Sequence, residues 1–254
     1  MMPIVALAGN TLRELTRNKL LYLLVVFSIL LILSSMLLIQ LSIGQWERVI
    51  NDVSLATIQL SGAFVAILIG VNLVAGEIDK KTVYVTLSKP MSRRAFIIGK
   101  YIGLCSTLFL IVAVMGGVLA IDLAFIGSKT GWQTLAALVL IYVELCLLSA
   151  FAMVFSSFTT QTLGVIFTIC IFVIGHLAGD LALLAQRLTG LSQQSVNVLS
   201  MILPNLDLLN VKTQAANGLP IAPGFVVKAS LYGFSYSAIA VFFASTLFAR
   251  RDFK

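Results

Sequence analysis

The sequence predicts an all-α polytopic membrane protein with six transmembrane helices, and three observations predict it. The chain is 59% hydrophobic and 11% charged over 254 residues, with a mean hydropathy of +1.05; a soluble domain carries about 25% charged residues. A core of this size cannot hide so much apolar surface, so lipid is the solvent for most of it. The apolar residues fall in six runs close to the roughly 20 residues that a bilayer-spanning helix needs. The alternating pattern of a membrane barrel is absent, and an open strand in lipid would leave its amides unpaired at several kcal/mol each. The whole of 1–254 reads as a single transmembrane domain with no soluble domain inserted.

Taken in order, residues 2–19 form an amphipathic helix. Ile4, Leu7, Ala8, Leu12 and Leu15 recur at helical spacing, with Asn10, Arg13, Glu14, Arg17 and Asn18 elsewhere on the wheel, which suits a helix lying on the inner leaflet. The first span, 20–41, is uncharged and far longer than the core of a cleaved signal peptide. Residues 42–54 are expected to be a loop, anchored at the interface by Trp46. The second span, 56–75, is also uncharged. Within 77–96, Glu77–Leu87 can form a short helix, Pro90 stops it, and Ser92 is the N-cap of a new helix running through Phe96 into the third span. That third span is 101–121. The fourth, 132–155, carries only Glu144. The fifth, 163–177, carries only His176 and is short at about 15 residues. Residues 178–224 are Leu-rich and predict short amphipathic helices at the outer leaflet, with turns at Pro204, Asn217-Gly218, Pro220 and Pro223-Gly224. The sixth span is 229–249.

Charge sets the orientation. Twelve of the seventeen basic residues lie at the two ends and in the segment between spans two and three; Arg48, Lys129, Arg187, Lys212 and Lys228 lie opposite. The positive-inside rule therefore places both termini and the 77–96 segment in the cytoplasm. Lys80, Lys81, Lys89, Arg93, Arg94 and Lys100 gather in that one segment, which reads as a topology signal and also as a platform for a protein partner; no nucleic acid is implied. There is no P-loop: the only Gly-Lys pair is Gly99-Lys100, with Arg94 where the first glycine belongs. H-E-x-x-H, C-x-x-C and G-x-S-x-G are absent, so neither a catalytic site nor a metal site is expected. Cys105, Cys146 and Cys170 lie in apolar runs as packing residues. Glu144 must face protein or water, either as a pathway or interface group or hydrogen-bonded to a neighbour such as Asn72. His176 and Asp180, one turn apart, are expected at the interface rather than on a metal. Gly99 and Gly103 allow close helix packing.

Several of these residues carry a family resemblance. Glu77, Leu87-Ser88-Lys89-Pro90, Ser92-Arg93 and Gly99-Lys100, preceded by Asn10-Thr11-Leu12-Arg13-Glu14 and Arg17-Asn18-Lys19, resemble the ABC-2-type transporter permeases. Leu203-Pro204-Asn205-Leu206-Asp207 and Phe248-Ala249-Arg250-Arg251-Asp252 extend the likeness over the chain. The resemblance implies a type V exporter fold, in which the chain pairs with a second copy or a similar permease and carries two separate ATPase subunits. ATP and magnesium would belong to those subunits, and this chain would hold no cofactor. The segment 77–96 would be the coupling helix that docks on the ATPase, through Glu77, Asp79, Lys80, Lys81, Leu87, Lys89, Pro90, Ser92, Arg93 and Arg94. The 2–19 helix, with Arg13, Glu14 and Arg17, would be the connecting helix beside it, in an inner (plasma) membrane. An outer-side protein is a further partner that 178–224 is suited to contact. Two other classes stay open: a proton- or ion-coupled transporter using Glu144, and a non-transporting scaffold relaying ATPase motion outward.

Overall fold

The computed structural model describes residues 2–35, 46–77, 92–128, 130–180 and 203–250. Among the described residues all regular structure is helical. In chain order the elements are α1 (Met2–Leu15), α2 (Lys19–Ser34), α3 (Trp46–Val71), α4 (Arg93–Phe125), α5 (Trp132–Phe158), α6 (Gln161–His176), α7 (Lys212–Ala216) and α8 (Pro223–Arg250). A π-helical turn, Asn72–Gly76, extends α3, and a 3-10 turn, Asp207–Leu209, precedes α7.

Among the described residues, four helices are long and apolar enough to cross a membrane: Trp46–Gly76, Arg93–Phe125, Trp132–Phe158 and Pro223–Arg250. Leu21–Ser34 and Gln161–His176 are as apolar but shorter; the 16 residues of α6 rise only about 24 Å, less than the roughly 30 Å of bilayer hydrocarbon. The helix α5 is central, packed by α3, α4, α6, α7 and α8, and Leu140, Val143, Leu145, Leu147, Ala150 and Met153 are all buried along it. Exposed aromatic and aliphatic residues, among them Phe109, Phe242 and Phe243, cover the outside of the bundle, as lipid-facing surfaces do.

Several boundaries move from the sequence expectation. The helix α3 begins at Trp46, so most of the expected 42–54 loop is helical. Ile50, Ser54 and Leu55 are buried along one face there, and packing sustains the helix beyond its apolar run. Likewise Pro223-Gly224 opens α8 instead of making a turn; proline has no N–H to lose at a first helical position. Asn217-Gly218 does turn, with Gly218 at φ 65°. Ser92 caps α4, its Oγ accepting from the Ala95 amide at 3.2 Å. The amphipathic α1 packs against α4 rather than only against a leaflet. A Cβ on Gly99 would lie 2.8 Å from Leu7 Cδ2, and one on Gly103 2.6 Å from Thr11 Cβ and 2.9 Å from the Ala8 carbonyl. The two glycines form the trough that receives α1. The expected outer helices over 181–202 and the 78–91 part of the 77–96 segment lie outside the described residues. The stretch 203–222 tucks into the bundle instead of lying on its surface, with Leu206, Leu209 and Val211 buried.

Candidate functional site

Among the described residues, buried polar side chains join several helices at two stations; Asp122 of α4 is also buried, with no hydrogen-bond partner there. The first is built on Gln59 of α3 and Glu144 of α5, about 20 Å and 18 Å along their helices from Trp46 and Trp132. Glu144 is fully buried. The Gln59 Nε2 amide donates to Glu144 Oε2 at 2.6 Å and lies 3.0 Å from His176 Nε2. His176 ends α6, and its Nδ1 lies 2.9 Å from the Phe172 carbonyl. A carbonyl only accepts, so Nδ1 carries the proton, and Nε2 of the neutral ring accepts the second Gln59 N–H. The Gln59 Oε1 in turn accepts from Lys212 Nζ. All of the Gln59 amide is thereby used, and it holds a carboxylate, an imidazole and an ammonium from three other elements. Glu144 Oε1 accepts no hydrogen bond and faces His176 Nε2 at 3.4 Å. Burial pushes the Lys212 ammonium below the ordinary lysine value, while the charges of Glu144 and Asp52 oppose that shift.

Lys212 reaches this depth because 203–216 re-enters the bundle. Leu206 N donates to the Gly175 carbonyl at 3.0 Å, closing one orphan acceptor at the end of α6, and α7 packs on α3 and α5. Irregular backbone at such a depth is tolerated only where protein or a water-filled cavity surrounds it. At this same end of the molecule Trp132 Nε1 donates to the Ile221 carbonyl at 3.0 Å, and Thr134 donates to Asn51 at 3.2 Å.

The second station lies at the opposite end. Lys100 of α4 is 3% exposed. Its Nζ is 2.5 Å from Glu77 Oε1, at the end of α3, and 3.5 Å from Glu14 Oε2 on α1; the Phe96 ring is 5.9 Å away. Phe96 stacks on Phe248 of α8 with centroids 5.5 Å apart, and Arg93 Nη1 donates to the Ala249 carbonyl at 3.3 Å, a favourable place for a cation at a helix C-terminus. The end of α1, the end of α3, the start of α4 and the end of α8 thus meet in one corner.

Of the residues singled out from sequence, Glu14, Glu77 and Arg93 belong to this corner. Ser92 caps α4 beside it, and Arg13, Arg17 and Arg94 are exposed. Asp79, Lys80, Lys81, Leu87, Lys89 and Pro90 lie outside the described residues. Glu144 pairs with Gln59 and not with Asn72, which is exposed and sits in the π turn two-thirds of a span away. His176 joins the Gln59–Glu144 station with its side chain 21% exposed, while Asp180 is exposed. Among the described residues no group of three or more His, Cys, Asp and Glu can hold a metal ion, and the three cysteines are free. Sequence reasoning missed Gln59, Lys212 and the pairing role of Lys100. The available signals were a glutamine inside the apolar 56–75 run, which also holds Asn72, and a lysine in an otherwise sparsely charged stretch.

Among the described residues, the geometry defines a helical bundle of apolar helices with one charged station near the middle of α3 and α5 and another where the ends of α1, α3 and α8 meet the start of α4. The family described as protein of unknown function (DUF2705) matches residues 45–254, and the chain belongs to that family. No curated protein matches it.

Proposed function

We propose that the chain is the permease subunit of an ATP-binding-cassette transporter of the ABC-2 type. In this reading α2 and α6 complete six spans, both termini face the cytoplasm of an inner membrane, and the subunit works as an exporter paired with a second permease. Two separate ATPase subunits, which bind ATP and magnesium, dock on the 77–96 segment. The observation that carries the reading is the Lys100 corner. The helices on either side of the 78–91 segment are joined through one buried ammonium, and the same ammonium reaches the amphipathic α1. A push on 78–91 would then reach α1, α3 and α4 together, and α8 through Arg93 and Phe96. Gentle detergent purification from the native host, with mass spectrometry and an ATP hydrolysis assay, tests it. A P-loop ATPase recovered in equal amount supports the reading; the chain recovered alone in every detergent overturns it.

The buried contact between Glu144 and His176 favours a second reading, a proton-coupled transporter, because ionisable groups inside a span mark ion paths. Glu144→Gln separates the two. Under ATP drive it leaves partner hydrolysis coupled to transport; under proton drive transport loses its dependence on a pH gradient.

A further inference from the structure

Three acceptors held by spans act on one ammonium that no span carries. Gln59 Oε1 takes a hydrogen bond from Lys212 Nζ, and the carboxylates of Glu144 and Asp52 favour its charged form. Asp52 and Gln59 are two helical turns apart on α3. Lys212 itself belongs to α7, five residues long, in the re-entrant segment. Asp52 is exposed and, among the described residues, in no ion pair. It also stands at one end of a groove of about 400 Å³ between α2 and α3, walled by Leu24, Phe27, Leu31, Leu60 and Phe64. Phe27, Leu60 and Phe64 are each about half exposed, so the groove opens toward lipid. From Asp52 to Phe64 it runs about 18 Å along α3.

We propose that this groove binds an amphiphilic primary amine, its apolar tail along α2 and α3 and its ammonium on Asp52, and that Lys212 is the internal cation which competes for the charge of Asp52. An ammonium brings three donors and no acceptor, matching the carboxylate oxygens of Asp52 at the end of the groove. An anionic head would meet Asp52 as a like charge, and a neutral one would gain no ion pair from that carboxylate. The tail recovers the burial of apolar area that the open groove lacks. The inference rests on the transport reading for the ligand's onward route only; binding is a property of this chain alone.

The test is equilibrium binding of radiolabelled dodecylamine to the full chain in lipid nanodiscs, without nucleotide or partner and with empty nanodiscs subtracted. Dodecanol is the uncharged control. Saturable binding of the amine is expected, not matched by the alcohol. D52N should weaken it about tenfold, the loss of one charged hydrogen bond. K212Q should tighten it, because the competing ammonium is gone and glutamine can still donate to Gln59. Leu60→Trp, on the exposed face, should block the groove without touching charge. Equal binding of dodecanol, or an affinity unchanged by D52N, overturns the site; an affinity unchanged by K212Q overturns the competition with Lys212. Failure here leaves ATPase co-purification untouched, and failure of co-purification leaves this binding untouched.

Discussion

At the scale of single residues, Gln59 is the side chain on which the buried station depends. A glutamine offers two donors and one carbonyl, and here the donors meet Glu144 and His176 while the carbonyl meets Lys212. Gln59→Leu keeps the volume and strands all three partners. A charged group left buried without its partner costs about 3–5 kcal/mol, so the melting midpoint in detergent should fall sharply. Ser61→Ala should move it little, because the Ser61 hydroxyl bonds the Thr57 carbonyl of its own helix at 2.6 Å. Comparable shifts for the two variants would refute the assignment. Lys212 adds a pH dependence. Its folded-state pKa is lowered by burial, so just below lysine's ordinary 10.5 the unfolded chain binds more protons than the folded one. Stability should therefore rise with pH through that window, and the rise should vanish in Lys212→Met.

At the scale of elements, the decisive contact is α1 in the trough of α4. Gly103→Leu would drive a branched side chain into Thr11 and the Ala8 carbonyl; overpacking of this kind costs about 1–3 kcal/mol. Release of α1 should appear as faster proteolysis between α1 and α2, with α4 and α5 intact. Gly117, whose added Cβ would meet nothing within 4 Å, is the matched control, and equal cleavage in Gly117→Leu would refute the trough. This contact also shows what sequence could tell. The stripe on α1 and the glycine spacing on α4 were both legible, because each is a periodicity within one helix. Their pairing was not, since nothing local says which apolar face meets which. The same holds for the buried station. Glu144 was conspicuous as a lone charge in an apolar run, but its partner lies 85 positions away, and Asn72 fitted equally well on polarity alone. The helical start of α3 was hidden for a different reason. Glu47, Arg48 and Asp52 read as loop when hydropathy is averaged, yet they occupy one side of a helix whose other side is buried.

At the scale of the whole molecule, the two stations share the same rods. The helix α3 ends at Glu77 in one and carries Gln59, about 27 Å away, in the other. It packs along α5, which supplies Glu144. Movement of one end of a continuous helix is felt at the other when the packing has two discrete arrangements, so the Lys100 corner is the place to weaken the linkage without touching the buried station. The geometry ranks the variants. Glu77 is 20% exposed at its side chain and 2.5 Å from Lys100; Glu14 is 64% exposed and 3.5 Å away. An exposed ion pair is worth about 0–1 kcal/mol, whereas removing one partner of a buried pair costs about 3–5 kcal/mol. Lys100→Met, which keeps the stem, should therefore be the most damaging, Glu77→Gln next and Glu14→Gln nearly silent. In a complex reconstituted with the ATPase proposed above, Lys100→Met should let hydrolysis continue while transport falls, and dodecylamine binding near Asp52 should stay within about twofold of the parent. If Glu14→Gln matches Glu77→Gln in melting and in coupling, the corner is not organised by the buried pair. If Lys100→Met abolishes amine binding as well, the two stations are not separable and the linkage runs through the whole packed core rather than along α3.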